Sequence, residues 1–325
     1  MKDQFERTVD YMRVSVTDRC NMRCAYCVAD SVCEERSGGL LTFEEIERIC
    51  RAASEVGIKK IKVTGGEPLL RKGVPELVGR LKAVPGIEQV TLTTNGSLLR
   101  EHSSALISAG VDAVNVSLDS LRNDRFRILT GGGDLCRTLD GIKAIKESGS
   151  RTRINTVLIR NMNDDEIADL TDFALEHGVD IRFIELMPMG PVKINEGVSG
   201  GSVIRTLRML YPNIEKDKSL RGNGPAEYYR VPGQKAAVGI ISAVSRPFCS
   251  SCNRIRLTSS GYLKACLCYE EGLDLRPFLS ADEKGNKNGK LLSKVIGSVI
   301  WKKPKMHCFQ TGRSADTHSM SQIGG

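Results

Sequence analysis

The chain has 325 residues, with 47 Lys and Arg against 39 Asp and Glu, giving a formal net charge of +8. A 40% hydrophobic and 26% charged composition is that of an ordinary globular protein and excludes a largely disordered or fibrous chain. No apolar run approaches the roughly 20 residues needed to cross a bilayer. Basic residues are dispersed, and the single Trp leaves no aromatic-and-basic stripe, so neither nucleic acid nor membrane is an expected partner.

Met1 to Arg7 is charged and lacks the apolar core of a signal peptide, which predicts a cytoplasmic chain. From there, short β-branched runs alternate with amphipathic helical stretches. Strands are expected at Met12–Val16, Lys59–Val63, Val90–Thr94, Ala113–Leu118, Arg153–Ile159 and Ile181–Leu186. Thr42-Phe43-Glu44-Glu45 has the form of a capping box, opening a helix that Gly57 stops. Asn163-Asp164-Asp165-Glu166 is expected to start another, with Ile167, Leu170, Phe173 and Ala174 on its buried face and Gly178 at its end. Six strand–helix units in series imply a parallel sheet. Since eight would close a full barrel, six predict an open (β/α)6 TIM-type partial barrel spanning residues 1–189.

Beyond Pro188 the alternation breaks. Gly197–Gly201 and Gly222–Pro225 are loop-rich, and Ser280 to Lys290 is expected to be an exposed Gly/Asn/Lys-rich loop. Residues 190–325 are read as a smaller, irregular C-terminal lobe and tail.

Eleven cysteines are too many for a reducing compartment unless some do chemistry. Cys33, Cys50, Cys136 and Cys308 are scattered and read as packing residues. Cys20, Cys24 and Cys27 sit within eight residues directly after the first strand. Zinc would need a fourth ligand, such as Cys33, whereas a four-iron cluster held by three cysteines keeps one iron open. Cys249, Cys252 and Cys266 form a second three-thiol set, with Cys268 close behind.

The Cys-x3-Cys-x2-Cys spacing with Tyr26 before its last cysteine resembles the radical S-adenosylmethionine (SAM) enzymes. Gly65-Gly66-Glu67-Pro68, Thr93-Thr94-Asn95-Gly96, Ser117-Leu118-Asp119 and Met187-Pro188 follow the second, third, fourth and sixth strands, where ligands of parallel α/β arrays bind. Arg246-Pro247-Phe248-Cys249-Ser250-Ser251-Cys252-Asn253-Arg254-Ile255-Arg256-Leu257 and the terminal Gly324-Gly325 are similar to the GTP 3′,8-cyclases of molybdenum cofactor biosynthesis, a likeness that runs over nearly the whole chain.

That resemblance implies two [4Fe-4S] clusters, the first on Cys20, Cys24 and Cys27 and the second, in the C-terminal lobe, on Cys249, Cys252 and Cys266. It implies SAM contacts at Tyr26, Gly66, Ser117 and Met187. GTP contacts are implied at Arg13, Lys62, Thr93, Arg153, Arg254, Ile255 and Arg256, and catalytic roles for Arg13, Arg254, Arg256, Gly324 and Gly325. The implied reaction begins when a 5′-deoxyadenosyl radical takes the ribose 3′ hydrogen of GTP, after which C3′ attacks guanine C8. An electron donor and a downstream cyclic pyranopterin monophosphate synthase, as product acceptor, are the implied partners; a homodimer stays open. A triphosphate calls for several guanidinium and ammonium donors, which this set supplies. The chain departs from the family at Val28-Ala29-Asp30, at Lys62 and Arg153 (where the family usually has Arg and Lys, respectively), and at Cys268. A peptide-modifying radical SAM maturase is the alternative reading, against which the Asn253-Arg254-Ile255-Arg256 run argues.

Overall fold

The structure, a computed structural model, describes residues 1–27, 39–189, 196–219, 221–283, 289–311, 314, 316 and 320–324. Its first half follows the alternation read from the sequence. The strands are β1 (Tyr11–Ser15), β2 (Lys60–Thr64), β3 (Gln89–Thr94), β4 (Ala113–Ser117), β5 (Thr152–Leu158) and β6 (Asp180–Glu185). Between and after them run α1 (Phe43–Glu55), α2 (Val74–Lys82), α3 (Leu99–Ser108), α4 (Asn123–Leu129), α5 (Leu135–Glu147), α6 (Ile167–Glu176) and α7 (Gly200–Leu210). At the start of α1 the Thr42 hydroxyl accepts from Glu45 N and the Glu45 carboxylate accepts from Thr42 N, so the reciprocal cap forms as the residues dictate.

Asn163 does not cap a helix. A short 3-10 turn, Asp164–Glu166, intervenes before α6. The Asn163 amide instead donates to the carbonyls of Asp119 and Val157 and accepts from Ile159 N. An Asn side chain bonds local backbone as readily as it caps, and here three backbone groups at the ends of β4 and β5 engage it.

The second half contributes β7 (Glu215–Lys216), β8 (Glu227–Arg230), β9 (Val238–Ile241), β10 (Arg254–Leu257), β11 (Tyr262–Lys264) and β12 (Gly272–Asp274), then α8 (Arg276–Glu283) and α9 (Gly289–Trp301). Among the described residues these twelve strands form one sheet, ordered β12-β11-β10-β1-β2-β3-β4-β5-β6-β9-β8-β7. β10 pairs parallel with β1, and β9 pairs parallel with β6. The irregular lobe expected after residue 190 therefore lends a parallel strand to each edge of the six-stranded array. The expected loop from Ser280 to Lys290 is shortened, because α8 enters it from one side and α9 from the other. Gly200, also placed in a loop, is the first residue of α7.

Each central strand alternates between two environments. Met12, Val14, Ile61, Val63, Val90, Leu92, Val114, Val116, Ile154, Ile181, Phe183, Val238, Ile240, Ile255 and Leu257 are buried in one apolar core with residues of the covering helices. The opposite face carries Arg13, Lys62, Thr91, Thr93, Asn115, Arg153, Asn155, Arg182 and Arg256. A sheet covered by helices on one face and this polar on the other encloses a hydrophilic interior.

Candidate active site

Register builds the interior floor. Arg13 on β1 stands opposite Arg256 on β10 and Lys62 on β2. Farther along the sheet, Asn115 is opposite Thr93 and Arg153, and Asn155 is opposite Arg182. Arg153, Arg182 and Arg256 are buried. Counter-charges are scarce among the described residues: Arg153 Nε lies 3.7 Å from Asp180 Oδ2, Arg182 donates to Asn115 Oδ1, and Arg256 Nη1 donates to the Gly324 carbonyl at 2.7 Å. Burial and then the charges of Arg182, Arg13, Arg153 and Arg254 push the Lys62 ammonium well below its usual pKa. Burial pulls Arg13 down to about 10, with Arg254 and Arg182 adding to the effect against Tyr11. The Nε atoms of Arg13, Arg153 and Arg182 are buried without a hydrogen-bond acceptor among the described residues. A buried donor without an acceptor is costly, and three on one face of one sheet fit a polyanionic ligand.

The strand-end loops are joined to one another by buried carboxylates. Glu67, after β2, accepts from Leu69 N, Thr94 Oγ1 and Asn95 N, which ties the β2 loop to the β3 loop. Burial lifts its pKa to about 7 against those hydrogen bonds. Asp119, after β4, accepts from Tyr26 at 2.7 Å and from Val157 N at 2.8 Å. It therefore joins the first cysteine loop to β4 and β5. Glu185, closing β6, accepts from Gly200 N, Val244 N and Ser245 N. Gly66 lies so close to the cysteine loop that an added Cβ would sit 2.3 Å from the Arg19 carbonyl, while its own N–H donates to Thr17 O at 2.7 Å. Only glycine tolerates that approach.

Cys20 is exposed, and Cys24 and Cys27 are partly buried. Burial raises the pKa of each, to about 12 for Cys27, and the other thiols of the set reinforce the rise at Cys24 and Cys27. Cys33, the alternative fourth ligand, and Val28-Ala29-Asp30 lie outside the described residues. In the second set, Cys252 and Cys266 raise Cys249 beyond the effect of burial. At Cys252 burial is overcome by Arg254 and Lys303, which bring the thiol down to about 6. Among the described residues no group of three or more His, Cys, Asp or Glu side chains is placed to hold a metal ion. Thiols are soft ligands of the kind that hold iron–sulfur clusters.

The carboxyl terminus reaches into this interior. Met320 N donates to Cys27 O at 3.2 Å, Ser321 makes a backbone hydrogen bond to the Cys27 thiol, and Ile323 is buried in a cluster with Met189, Cys268 and Phe309, against which Met187 packs. Gly324 follows with φ +77, its α-carbon facing Thr64 and Ser15. Gly325 lies outside the described residues.

The interior thus collects Arg13, Lys62, Thr93, Arg153, Arg256 and Gly324, while Tyr26, Gly66, Ser117 and Met187 occupy the cysteine side and strand ends. Arg254 stands beside Cys252, its Nη2 3.7 Å from that sulfur, with the guanidinium 4.7 Å from the Phe248 ring centroid. Ile255 points the other way, into the apolar core, and meets the interior only through its backbone. Sequence reasoning missed Arg182, though the alternation of Asp180-Ile181-Arg182-Phe183 already assigned it to the polar face. It also missed Lys303, buried and donating to Arg254 O and Ala265 O; nothing local to Trp301-Lys302-Lys303 marks it.

Residues 14–174 match the Radical SAM superfamily and residues 179–309 match the family described as Molybdenum Cofactor Synthesis C. Curated relatives named GTP 3′,8-cyclase include those of Clostridium perfringens (strain 13 / Type A), 39% identical, and Alkaliphilus metalliredigens, 40% identical, each aligned over 100% of both chains. The Geobacter sulfurreducens relative is 40% identical over 99% of each. Among solved structures, Streptococcus suis SuiB bound to precursor peptide SuiA superposes with a TM-score of 0.66 at 14% identity, covering 96% of this chain and 76% of that one. SuiB bound to S-adenosylmethionine gives 0.62 at 15%, covering 90% and 66%; at such identities the likeness speaks for the fold alone. Full-length similarity to the cyclases, together with both family matches, shows that this chain belongs to the GTP 3′,8-cyclases of the radical SAM superfamily.

Proposed function

We propose that the chain converts GTP to its 3′,8-cyclised product in the polar interior of the sheet, and that each residue group has a separate task. Cys20, Cys24 and Cys27 would hold a [4Fe-4S] cluster, with SAM against Tyr26, Gly66, Ser117 and Met187. Cys249, Cys252 and Cys266 would hold a second. When bound, the first cluster and SAM supply a 5′-deoxyadenosyl radical, the species that removes the ribose 3′ hydrogen. The remaining work falls to the protein. Arg13, Lys62, Arg153, Arg182 and Arg256 carry positive charge to the interior face, where triphosphate oxygens would satisfy the buried Nε donors. Thr93 adds a hydroxyl on the same face. Arg254, stacked on Phe248 beside Cys252, would orient the base toward the second thiol set, alongside the backbone of Ile255. Glu67, Asp119 and Glu185 hold the loops in place so that the ends of the nucleotide meet fixed partners. Gly324 would close the site as a backbone wall that excludes water, and Gly325 is proposed to share its catalytic role.

The observation that carries this reading is the row of cations on one sheet face with buried donors left open. It favours a nucleoside triphosphate over a peptide. An external electron donor and a cyclic pyranopterin monophosphate synthase as product acceptor complete the proposed setting, and residues 1–189 and 190–325 would mark the cluster-bearing halves.

The test is anaerobic reconstitution, with about eight irons per chain expected for two four-iron clusters. Cys24→Ala should lose SAM cleavage. Cys252→Ala should retain part of it but make no cyclised GTP. Normal cleavage in both variants would refute the assignment of the first cluster.

A further inference from the structure

Cys308 looks isolated in sequence, and Cys268 trails Cys266 of the second three-cysteine set by two residues. The fold brings them together. Their sulfurs are 3.0 Å apart, inside ordinary van der Waals contact for two sulfur atoms, and Cys308 N–H donates to the Cys268 sulfur at 3.3 Å. They come from different segments, the turn between β11 and β12 and the stretch after α9. Cys268 is fully buried in the cluster with Met189, Phe309 and Ile323, whereas Cys308 is partly exposed. One sulfur within reach of solvent, backed by a buried one, is the arrangement of an attacking and a resolving thiol.

We propose that Cys268 and Cys308 form a redox-modification site, a dithiol that closes reversibly to a disulfide by exchange with a small-molecule disulfide. The Cys308 sulfur attacks one sulfur of the reagent; the reagent's S–S bond breaks, one thiol leaves, and a mixed disulfide forms on Cys308. The Cys268 sulfur then displaces the other half, forming the Cys268–Cys308 bond and releasing the second thiol. Two protein thiols are oxidised, one small disulfide is reduced to two thiols, and these carry away both protons. Excess dithiol runs the exchange backward.

The bond would join two segments that bear on the site. His307 N–H donates to Cys249 Sγ at 3.4 Å, so the residue before Cys308 touches the second thiol set. Phe309, the residue after it, packs in the cluster that seats Ile323 of the tail. Oxidation would fix the Cys308 segment against β11 and reduce the freedom of both. The pair is not one of the two three-cysteine sets, so the inference stands whether or not those sets carry clusters.

The experiment treats the full-length, iron-loaded protein with oxidised glutathione under anaerobic conditions, alkylates without reduction, and maps peptides by mass. The expected result is a Cys268–Cys308 linked peptide, lost on treatment with dithiothreitol, with the iron content of the protein unchanged. Cys308→Ser should give no linked peptide, and Cys268→Ser should stop at glutathione on Cys308. Oxidised wild type should also unfold at a higher temperature than reduced, since the link closes a long loop. Absence of the linked peptide from the folded wild type would overturn the proposal. So would iron loss in Cys308→Ser, which would make Cys308 a cluster ligand instead.

Discussion

Arg256 and Gly324 meet at 2.7 Å, the guanidinium of β10 donating to the backbone carbonyl of the penultimate residue. The terminal segment is thereby held inside the sheet at the level of Arg13 and Lys62, where a fraying tail would otherwise be expected. At Gly324 an added Cβ would lie 2.9 Å from Thr64 Oγ1 and 3.1 Å from Ser15 Cβ, on a backbone with φ +77. A chain ending at Ile323 should therefore load iron and bind GTP normally yet make far less cyclised product. Gly324→Ala should reproduce the defect in part. Product quantified per SAM cleaved is the measurement; unchanged coupling in both would mean that the tail is not part of the site.

Arg182→Ala should weaken GTP binding by about 10- to 150-fold, the equivalent of losing a charge-assisted contact of ~1.5–3 kcal/mol. Arg100→Ala, at an exposed ion pair with Asp140, is the control and should leave affinity unchanged. Titration calorimetry on both variants decides whether Arg182 faces the ligand.

Lys62 gives a pH prediction. Its folded pKa lies well below the usual lysine value, chiefly through burial. Between the folded and unfolded pKa values the unfolded chain holds a proton that the folded one has released, so this residue's contribution to stability rises with pH there and is a cost below. A bound triphosphate supplies the missing counter-charge and draws the proton back. GTP binding above the folded pKa should be coupled to proton uptake, seen as a heat that depends on buffer ionisation enthalpy, and affinity should fall as pH rises through that range. Lys62→Met should bind more weakly and lose most of the uptake. Buffer-independent heat in the wild type would contradict the assignment.

Arg7 braces the second thiol set from behind. Its guanidinium donates to Asp3 Oδ2, Cys249 O, Lys305 O, Pro304 O and Lys303 O. Both Arg7 and Asp3 are buried. Arg7→Ala leaves Asp3 without its partner in a dry site, which typically costs about 3–5 kcal/mol. The thermal midpoint should drop by many degrees and iron should fall toward about four per chain as the second set loosens. A midpoint within error of wild type would show that the brace carries no load.

The barrel was legible because hydrophobic alternation and strand-end motifs are local: all six strand runs lie within about one residue of the observed strands. The thiol sets were legible because their spacing is short. What escaped depends on long-range contact. Thr42 could be read as a cap, since its partner is three residues away, but Asn163 could not be read as a brace, since Asp119 lies 44 positions earlier. The pairing of β9 and β10 with the edges of the six-stranded array, the burial of Lys303 and the meeting of Cys268 with Cys308 are all settled by tertiary packing. Arg182 was within reach; the strand alternation already named its face.

The central claim is that the interior cations place the ribose of GTP where its 3′ hydrogen is taken. GTP carrying deuterium only at the ribose 3′ position, incubated anaerobically with iron-loaded protein, SAM and dithionite, tests it most directly. Mass analysis of the released 5′-deoxyadenosine should show a single deuterium gained, in step with cyclised product. Unlabelled 5′-deoxyadenosine formed alongside cyclised product would contradict it.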